Sequence, residues 1–554
     1  MTILTFNKSE LEKLIGKITP ELEKRITNMG TPIEEVTNKE LSIEVFPNRP
    51  DLLSLRNFSK AFNQYNKKSG LVKFNVNPPE KNYSISVDKN LAEVRPYTVC
   101  AIVKKLKLDY SKILEIIDIQ EKLHNSIGRK RKKVAIGIYP LNKISLPIRF
   151  IGKKPEDIKF LPLDSSKELT GNQILKSHPK GRDYAHLLKD APVYPIFIDA
   201  NDEILSMPPI INSKKTGKVD ESTNEIFIEC SGNNLYYLNK ALNILLFTLS
   251  EMGGKIYSME VKGIDKKTLI TPDMKPQNLE FEISDIEKTL GVKFTEKDIK
   301  KYLSQMGIGY ESINGKSIAL VPQYRVDILH PIDLSEEVAI SYGYENFVPE
   351  IADISTTGEE DKTSKLKRTL GDILAGLGLL ETSSYHLTNK KNIRKMHFDF
   401  NDFIEVENSK TNRDVLRMDL LTNSLQILSE NSNSAYPQKI FEIGRVFSLD
   451  ESKTSETGVK EEEHLSISIV NEGVSFTELK QILDYLFMML NIPYTIENTE
   501  NNNYINGRAG KIFVGPVNVG YIGEIAPRVL KNWKIRMPVV SLEIDLDFLF
   551  SSNL

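Results

Sequence analysis

The sequence predicts a multidomain α+β protein, and three observations carry that expectation. The chain has 554 residues, whereas single cores stop growing at roughly 250–300 residues. Short strand-like segments stand beside amphipathic helical segments along its length, without a repeat. Turn-rich breaks at residues 77–83, 262–267 and 347–349 divide it. A hydrophobic content of 40% with 27% charged residues reads as soluble and globular. No apolar run approaches the roughly 18–20 residues of a membrane span. The nearest, 241–249, is flanked by Asn239-Lys240 and Ser250-Glu251 and reads as an amphipathic or buried helix. Residues 1–8 meet polar side chains too soon for a signal-peptide core. Cys100 and Cys230 offer neither a disulfide framework nor a cysteine zinc site, so an intracellular, cytoplasmic setting is expected. With a net charge of −2, the whole-molecule field announces no nucleic-acid binder.

The elements follow in order. A strand over 1–6 leads into a helix from Ser9, with Ser9 as its cap and Leu11, Leu14 and Ile15 on one face. Strands at 84–87 and 98–103 and a helix over 111–128 come next. The basic run Arg129-Lys-Arg-Lys-Lys133 reads as a solvated loop before a strand over 134–138, with phosphate contact as the alternative. His178 and His186 read as packing or surface histidines. A strand–helix–helix–strand unit over 278–322 suggests a small α+β or winged-helix-like module. Beyond 349, helices over 363–379 and 476–490 alternate with strands over 439–447, 465–470 and 511–514, and 497–503 reads as a polar loop.

The most chemically loaded stretch runs from Pro322 to Tyr344. Pro331 interrupts regular structure, and a helix can start at Asp333, where Asp-Leu-Ser-Glu forms the Asx version of a capping box. Asp333, Glu336 and Glu337 then share one side of that helix, and Asp327 arrives from the preceding strand. Two readings stay open on spacing alone. Asp333 and Glu336 cap the helix and the other acids are solvated, or four carboxylates gather a hard divalent cation such as Mg²⁺ or Ca²⁺.

Tyr324-Arg-Val-Asp-Ile-Leu-His-Pro-Ile-Asp-Leu-Ser-Glu-Glu-Val-Ala339, followed by Tyr342-Gly-Tyr-Glu-Asn346, closely resembles the B5 module of phenylalanyl-tRNA synthetase β chains of the archaeal and eukaryotic type. Glu44-Val-Phe-Pro-Asn-Arg-Pro-Asp-Leu-Leu-Ser54 resembles that family's N-terminal signature; on its own it reads as a Pro-bracketed turn with Asp51 starting a helix. Val134-Ala-Ile-Gly-Ile-Tyr139, the segment from His178 to Leu188 and Ser206-Met-Pro-Pro-Ile-Ile-Asn-Ser213 resemble its B3/B4 domain. Val415-Leu-Arg-Met-Asp-Leu-Leu421 and Lys439-Ile-Phe-Glu-Ile-Gly-Arg445 resemble its catalytic-like domain. The matches run in family order across most of the chain.

The resemblance implies four domains: a B1-like domain at 1–80, a B3/B4 editing-type domain at 81–265, B5 at 266–347 and a class II synthetase-like domain at 355–554. It implies a β subunit in an (αβ)₂ tetramer with a catalytic α chain, acting on tRNA-Phe with ATP as substrate of the complex. It implies Mg²⁺ at Asp327, Asp333, Glu336 and Glu337, shared with α. No residue of this chain is expected to catalyse aminoacylation. The C-terminal segment Tyr521-Ile-Gly-Glu-Ile-Ala-Pro-Arg528 has no clustered glycines leading into a strand arginine, and Arg528 reads as a helix-start residue. Ser206, Glu229 and Ser231 match by position the pocket that hydrolyses tRNA-Phe mischarged with tyrosine. Glu229-Cys-Ser-Gly232 departs from the Asp-Val-Thr-Gly of archaeal relatives by one added methylene in the acid. Ser206 equally fits a strand-to-turn residue before Pro208-Pro209. A β-type chain that scaffolds the complex without editing, and a stand-alone class II synthetase, are the alternatives.

Overall fold

The structure is a computed structural model and describes residues 2–67, 70–351, 357–396, 401–450 and 456–547. The chain forms two compact units, 1–351 and 352–554.

The first unit opens with an antiparallel sheet in which Glu40–Val45 lies between Thr2–Asn7 and Ile33–Val36. The first helix is Lys8–Ile15, one residue earlier than expected. Its cap is Asn7, not Ser9, because the Asn7 side chain accepts from the Glu10 N–H. Leu11 and Ile15 are buried while Leu14 is exposed. Asp51 sits in the one-turn 3₁₀ helix Pro50–Leu52, ahead of the long helix Leu55–Lys67.

The middle of this unit is three layers. A seven-stranded sheet runs in the order Ile211–Asn212, Ile204–Met207, Tyr194–Ile198, Ile148–Lys153, Ser84–Val87, Met259–Lys262, Thr268–Thr271. A five-stranded sheet runs in the order Val76–Asn77, Lys255–Tyr257, Tyr97–Lys104, Ile226–Gly232, Val134–Pro140. Cys100, Ile102, Tyr139 and Phe227 from the second sheet bury against Ile85, Phe150, Phe197 and Leu205 from the first. The other face of the five-stranded sheet is covered by the helices Tyr110–Asn125 and Leu235–Glu251. The strand Ile226–Gly232 is therefore buried on both faces, and all seven of its residues are inaccessible. Period-two alternation sends Ile226, Ile228 and Cys230 to the helices and Phe227, Glu229 and Ser231 to the other sheet. Cys100 and Cys230 are free and buried.

The loop after Tyr110–Asn125 is solvated at Arg129, Lys130 and Lys132, as expected, and departs from that reading at Arg131. Arg129, Lys130 and Arg131 take left-handed φ angles of 45°, 53° and 65°, and Arg131 is buried. Its guanidinium donates to the Pro209 and Ile210 carbonyls and to Glu121, and stacks over Tyr184. Internal acceptors, not water, satisfy that charge.

The 278–322 stretch carries one strand more than its pattern suggested. Lys316–Val321 lies between Gln277–Phe281 and Gly309–Ile313, joined by the helices Ile283–Leu290 and Glu296–Gln305. The short strand at 309–313 is mostly exposed, so it lacks the apolar alternation that would announce it. Asp333 does begin a helix, Asp333–Tyr342, but no capping box forms. Its carboxylate turns back to accept from the Leu329 and His330 N–H groups.

Here the N-terminal signature meets the loaded stretch. Arg325 donates bidentately to Asp327 and to Glu337, and is almost wholly buried. Arg49 pairs bidentately with Asp51 and reaches Asp327 at 4.0 Å. Burial works against ionisation of Asp327, and the Arg325 guanidinium more than offsets it, holding the carboxyl below its usual range.

The second unit is a seven-stranded sheet in the order Leu380–Glu381, Gln438–Leu449, Val459–Val470, Val539–Asp545, Val517–Ile525, Tyr504–Val514, Thr495–Asn498. It is antiparallel except at the first edge, where Leu380–Glu381 pairs parallel to Gln438–Leu449. Thr495–Asn498 corrects the expected polar loop at 497–503: the first two of those residues close the far edge of the sheet. The helices Lys362–Gly376 and Phe476–Met489 pack on one buried cluster, Leu421–Glu430 and Pro527–Trp533 on another. Arg528 is the second residue of the last helix, as expected, and donates to the Asn502 carbonyl. The two motifs of this unit also converge on an arginine. Arg417 donates to Glu442 at 2.6 Å and to the Arg445 carbonyl at 2.7 Å, with Ser384 closing the cluster. Among the described residues no helix is long and apolar enough to cross a membrane.

Removing one member of a buried ion cluster strands the others. Arg325→Leu should lower the unfolding free energy of the chain in urea by about 3–5 kcal/mol, and an effect below about 1 kcal/mol would show that Asp327 and Glu337 are satisfied by water.

Candidate functional site

A cleft of about 550 Å³ opens at the edge strand Val134–Pro140. One wall is the apolar face of Tyr110–Asn125, with Ile113, Ile116 and Ile117. The facing wall is the turn Pro208-Pro209-Ile210, and Ile136 and Ile138 line the sheet side. This volume lies within the roughly 300–1,000 Å³ typical of small-molecule sites.

Two of the sequence-selected residues form the cleft's buried floor. Ser206 comes from the strand Ile204–Met207 and Glu229 from the centre of Ile226–Gly232. They belong to different sheets and are joined by Tyr139. The Tyr139 hydroxyl lies 2.7 Å from Ser206 Oγ and 3.2 Å from Glu229 Oε1. Glu229 Oε2 is buried and meets no hydrogen-bond geometry among the described residues, although the Ser231 hydroxyl is near enough to act on the carboxyl. Ser231 stands two residues further along and receives Arg95 Nε on its hydroxyl and Arg95 Nη2 on its carbonyl. It does not line the cleft but fixes the one guanidinium whose charge acts on Glu229.

Burial drives the electrostatics. It pushes the Glu229 carboxyl up to about 8, against the opposing pull of Arg95 and of the Tyr139 and Ser231 hydroxyls. Arg95 itself is brought down to about 10 by burial. At the helix wall, the His124 hydrogen bond, with Arg131 beside it, holds Glu121 down at about 2. His124 Nε2 accepts from the Ile136 N–H, which puts the ring proton on Nδ1, toward Glu121. Gly137 pairs directly with Glu229 across the sheet. A Cβ there would fall 2.2 Å from the Tyr139 hydroxyl and 2.4 Å from Glu229 Oε1, so a glycine makes room for the bridge.

Tyr139 lies in a segment that resembles the B3/B4 domain and Arg131 in the basic run, but nothing in the sequence marks either of them, or Arg95, as a partner of Glu229 or of the cleft walls. Tyr139 reads as a strand aromatic, and Arg95 lies far from the elements it joins. His178, buried and bonded to the Leu163 carbonyl, and His186, exposed, keep the packing and surface roles expected of them.

The four acids of the loaded stretch do not converge in the same way. Asp327 and Glu337 spend all four carboxylate oxygens on Arg325. Asp333 spends one oxygen on backbone N–H groups, and Glu336 is exposed. That donor set does not fit a cation cage built from this chain alone; its open oxygens are on Asp333 and Glu336. Among the described residues, the one group of three acids with oxygens within 4.8 Å of one another is Glu462, Asp545 and Asp547, in the second unit.

Comparison with known proteins bears on both units. The family model for the "Phenylalanyl tRNA synthetase beta chain CLM domain" matches residues 349–546, and that for the "tRNA synthetase B5 domain" matches 279–344. The phenylalanine–tRNA ligase beta subunit of Thermococcus sibiricus is 38% identical over 97% of this chain and 97% of its own length. Its counterpart from Methanosarcina barkeri is 34% identical over the full length of both. The crystal structure of an N-terminal fragment of the phenylalanyl-tRNA synthetase β subunit from Pyrococcus horikoshii is 36% identical, with a TM-score of 0.58, and covers 62% of this chain and 99% of that one. Identity at this level over both units, in the order the motifs foretold, leads to one conclusion: the chain belongs to the family of phenylalanine–tRNA ligase β subunits.

Proposed function

We propose that this chain is the non-aminoacylating subunit of a cytoplasmic phenylalanine–tRNA ligase, and that its own chemistry is hydrolysis of tRNA-Phe mischarged with tyrosine. The single observation that carries the second part is the orphaned Glu229 Oε2 at the floor of a cleft whose helix wall presents isoleucines. The isoleucine walls take an aromatic ring. A phenolic hydroxyl both donates and accepts, so it can satisfy Glu229 in either protonation state and Ser206 beside it. A phenylalanyl ring in the same place leaves the buried oxygen unpaired, which costs about 1–3 kcal/mol. Selection by hydrogen bond thus works in the direction proofreading needs, because an apolar synthetic site rejects an added hydroxyl poorly.

Aminoacylation, with ATP, then falls to a separate α chain, in an (αβ)₂ assembly acting on tRNA-Phe. The second unit, with its antiparallel sheet, is read as a class II synthetase fold without ATP chemistry. The buried Arg417, in the family-like motif, is committed to Glu442 and to backbone and is not free to hold a phosphate. For Mg²⁺, Asp333 and Glu336 are this chain's part of a hydrated site that α completes, while Arg325 neutralises Asp327 and Glu337. Bound there, the cation would relieve the charge of the two open carboxylates; no step of hydrolysis runs through it.

In the complex with α, the chain should release tyrosine from Tyr-tRNA-Phe and spare Phe-tRNA-Phe, and Glu229→Ala should abolish the release. A complex that charges tRNA-Phe yet leaves Tyr-tRNA-Phe intact would reduce the chain to a scaffold. Purified alone, the chain should give no phenylalanine-dependent ATP–pyrophosphate exchange, and robust exchange would overturn the division of labour. Glu229 also makes a stability prediction. Its folded-state value of about 8 lies above its ordinary 4.5, so the folded chain binds the extra proton and stability falls as pH rises through that window. Glu229→Gln removes this titration. Its stability relative to the parent should grow from pH 5 to pH 9, with a limiting slope of roughly 1.4 kcal/mol per pH unit; a flat difference across that range would mean a solvated carboxylate.

A further inference from the structure

Tyr139 is fully buried and does not line the cleft, yet it touches both polar groups that do. The Tyr139 hydroxyl is the donor toward both Ser206 Oγ and Glu229 Oε1, so one proton shared between two acceptors ties the sheets together at this point. Such a bridge fixes two things at once. It sets the rotamer of Glu229, turning Oε1 back into the protein and leaving Oε2 as the orphan. It also occupies a lone pair of Ser206 Oγ, so the Ser206 hydroxyl keeps its own proton to donate. Three features hold the tyrosine itself in place. Its ring stacks on Phe227 at 5.7 Å, both rings lie in the dry layer between the sheets, and Gly137 leaves the space its hydroxyl needs. A packing aromatic at this position needs no hydroxyl, because a phenylalanine would fill the same layer.

We propose that Tyr139 is a specificity-positioning residue: its hydroxyl ties Ser206 to Glu229 and so presents a single carboxyl oxygen to the hydroxyl of an aromatic aminoacyl ester. The proposal rests on the proofreading reading of the cleft. The charged and titratable groups facing Glu229 are Arg95, Cys100 and Tyr139 beside it. Across the cleft stand Glu121, His124 and Arg131, and at its mouth Asp164, Lys180, Lys214 and Lys218. Tyr139 alone among these has a hydrogen bond to the carboxyl and no charge of its own at neutral pH, so removing its hydroxyl tests geometry without altering the field.

The experiment uses the full chain purified with α and compares the parent, Tyr139→Phe, Glu229→Gln and the double variant. Two quantities are read: the ratio of kcat/KM for hydrolysis of Tyr-tRNA-Phe over Phe-tRNA-Phe, and the titration midpoint of the Glu229 carboxyl by infrared difference spectroscopy without RNA. Tyr139→Phe should lower the ratio about tenfold and move the midpoint upward, because a hydrogen bond to the carboxylate form is lost. The carboxyl band should be absent in both Glu229→Gln backgrounds. A folded Tyr139→Phe with the parent's ratio and midpoint overturns the proposal. If the parent hydrolyses neither ester, the proofreading reading falls, and the midpoint alone decides whether Tyr139 governs Glu229. Should Tyr139→Phe not fold, Ser206→Ala cuts the other end of the bridge; an unmoved midpoint there is equally fatal.

Discussion

Everything at the candidate site depends on one strand that is buried on both faces. Ile226–Gly232 has helices on one side and a second sheet on the other, so each residue faces one of two dry compartments. Apolar residues fill such compartments at no electrostatic cost. A glutamate at the centre of the strand does not, and its surroundings are organised to contain it. Arg95 lends its field, Tyr139 a hydrogen bond and Gly137 the space. The fold thus creates a carboxyl reluctant to ionise and then points one of its oxygens at a cleft.

A second kind of burial holds the rest of the molecule in register. Each unit has a central arginine at the meeting point of two sequence motifs. Arg325 gathers Asp327 and Glu337, with Arg49 and Asp51 of the N-terminal module alongside. Arg417 gathers Glu442, Ser384 and a strand carbonyl. The planar guanidinium makes these clusters specific, since its fork meets two carboxylates at fixed angles where a lysine would offer a point charge. Such clusters favour one arrangement over others more than they add net stability.

The sequence reveals some of this and hides the rest for physical reasons. The long helices and the strands of the second unit follow from apolar spacing. The pairing of Ser206 with Glu229 on one floor rests on positional resemblance, not on local pattern. Asn7 replaced Ser9 as a cap because both residues suit the role and only geometry chooses between them. The expected capping box at Asp333 fails because the preceding loop offers its own N–H groups to the same carboxylate. Tyr139 was invisible because a strand tyrosine looks the same whether its hydroxyl is idle or employed. Spacing puts three of the B5 acids on one side of a helix, but it does not reveal that the Arg325 guanidinium engages Asp327 and Glu337. Within the basic run only Arg131 departs from expectation, because charge density in sequence suggests solvent and this one side chain has its acceptors inside.

That last residue has a mechanical meaning. Arg131 ends three successive left-handed residues, a conformation costing roughly 1–2 kcal/mol for each. Its guanidinium bonds to the helix through Glu121 and to the opposite turn through the Pro209 and Ile210 carbonyls. The two walls of the cleft are therefore spanned by a single tie-rod under tension from its own loop. The gap between them is a gauge length set by one side chain, so the width of the cleft is encoded in the reach of a guanidinium.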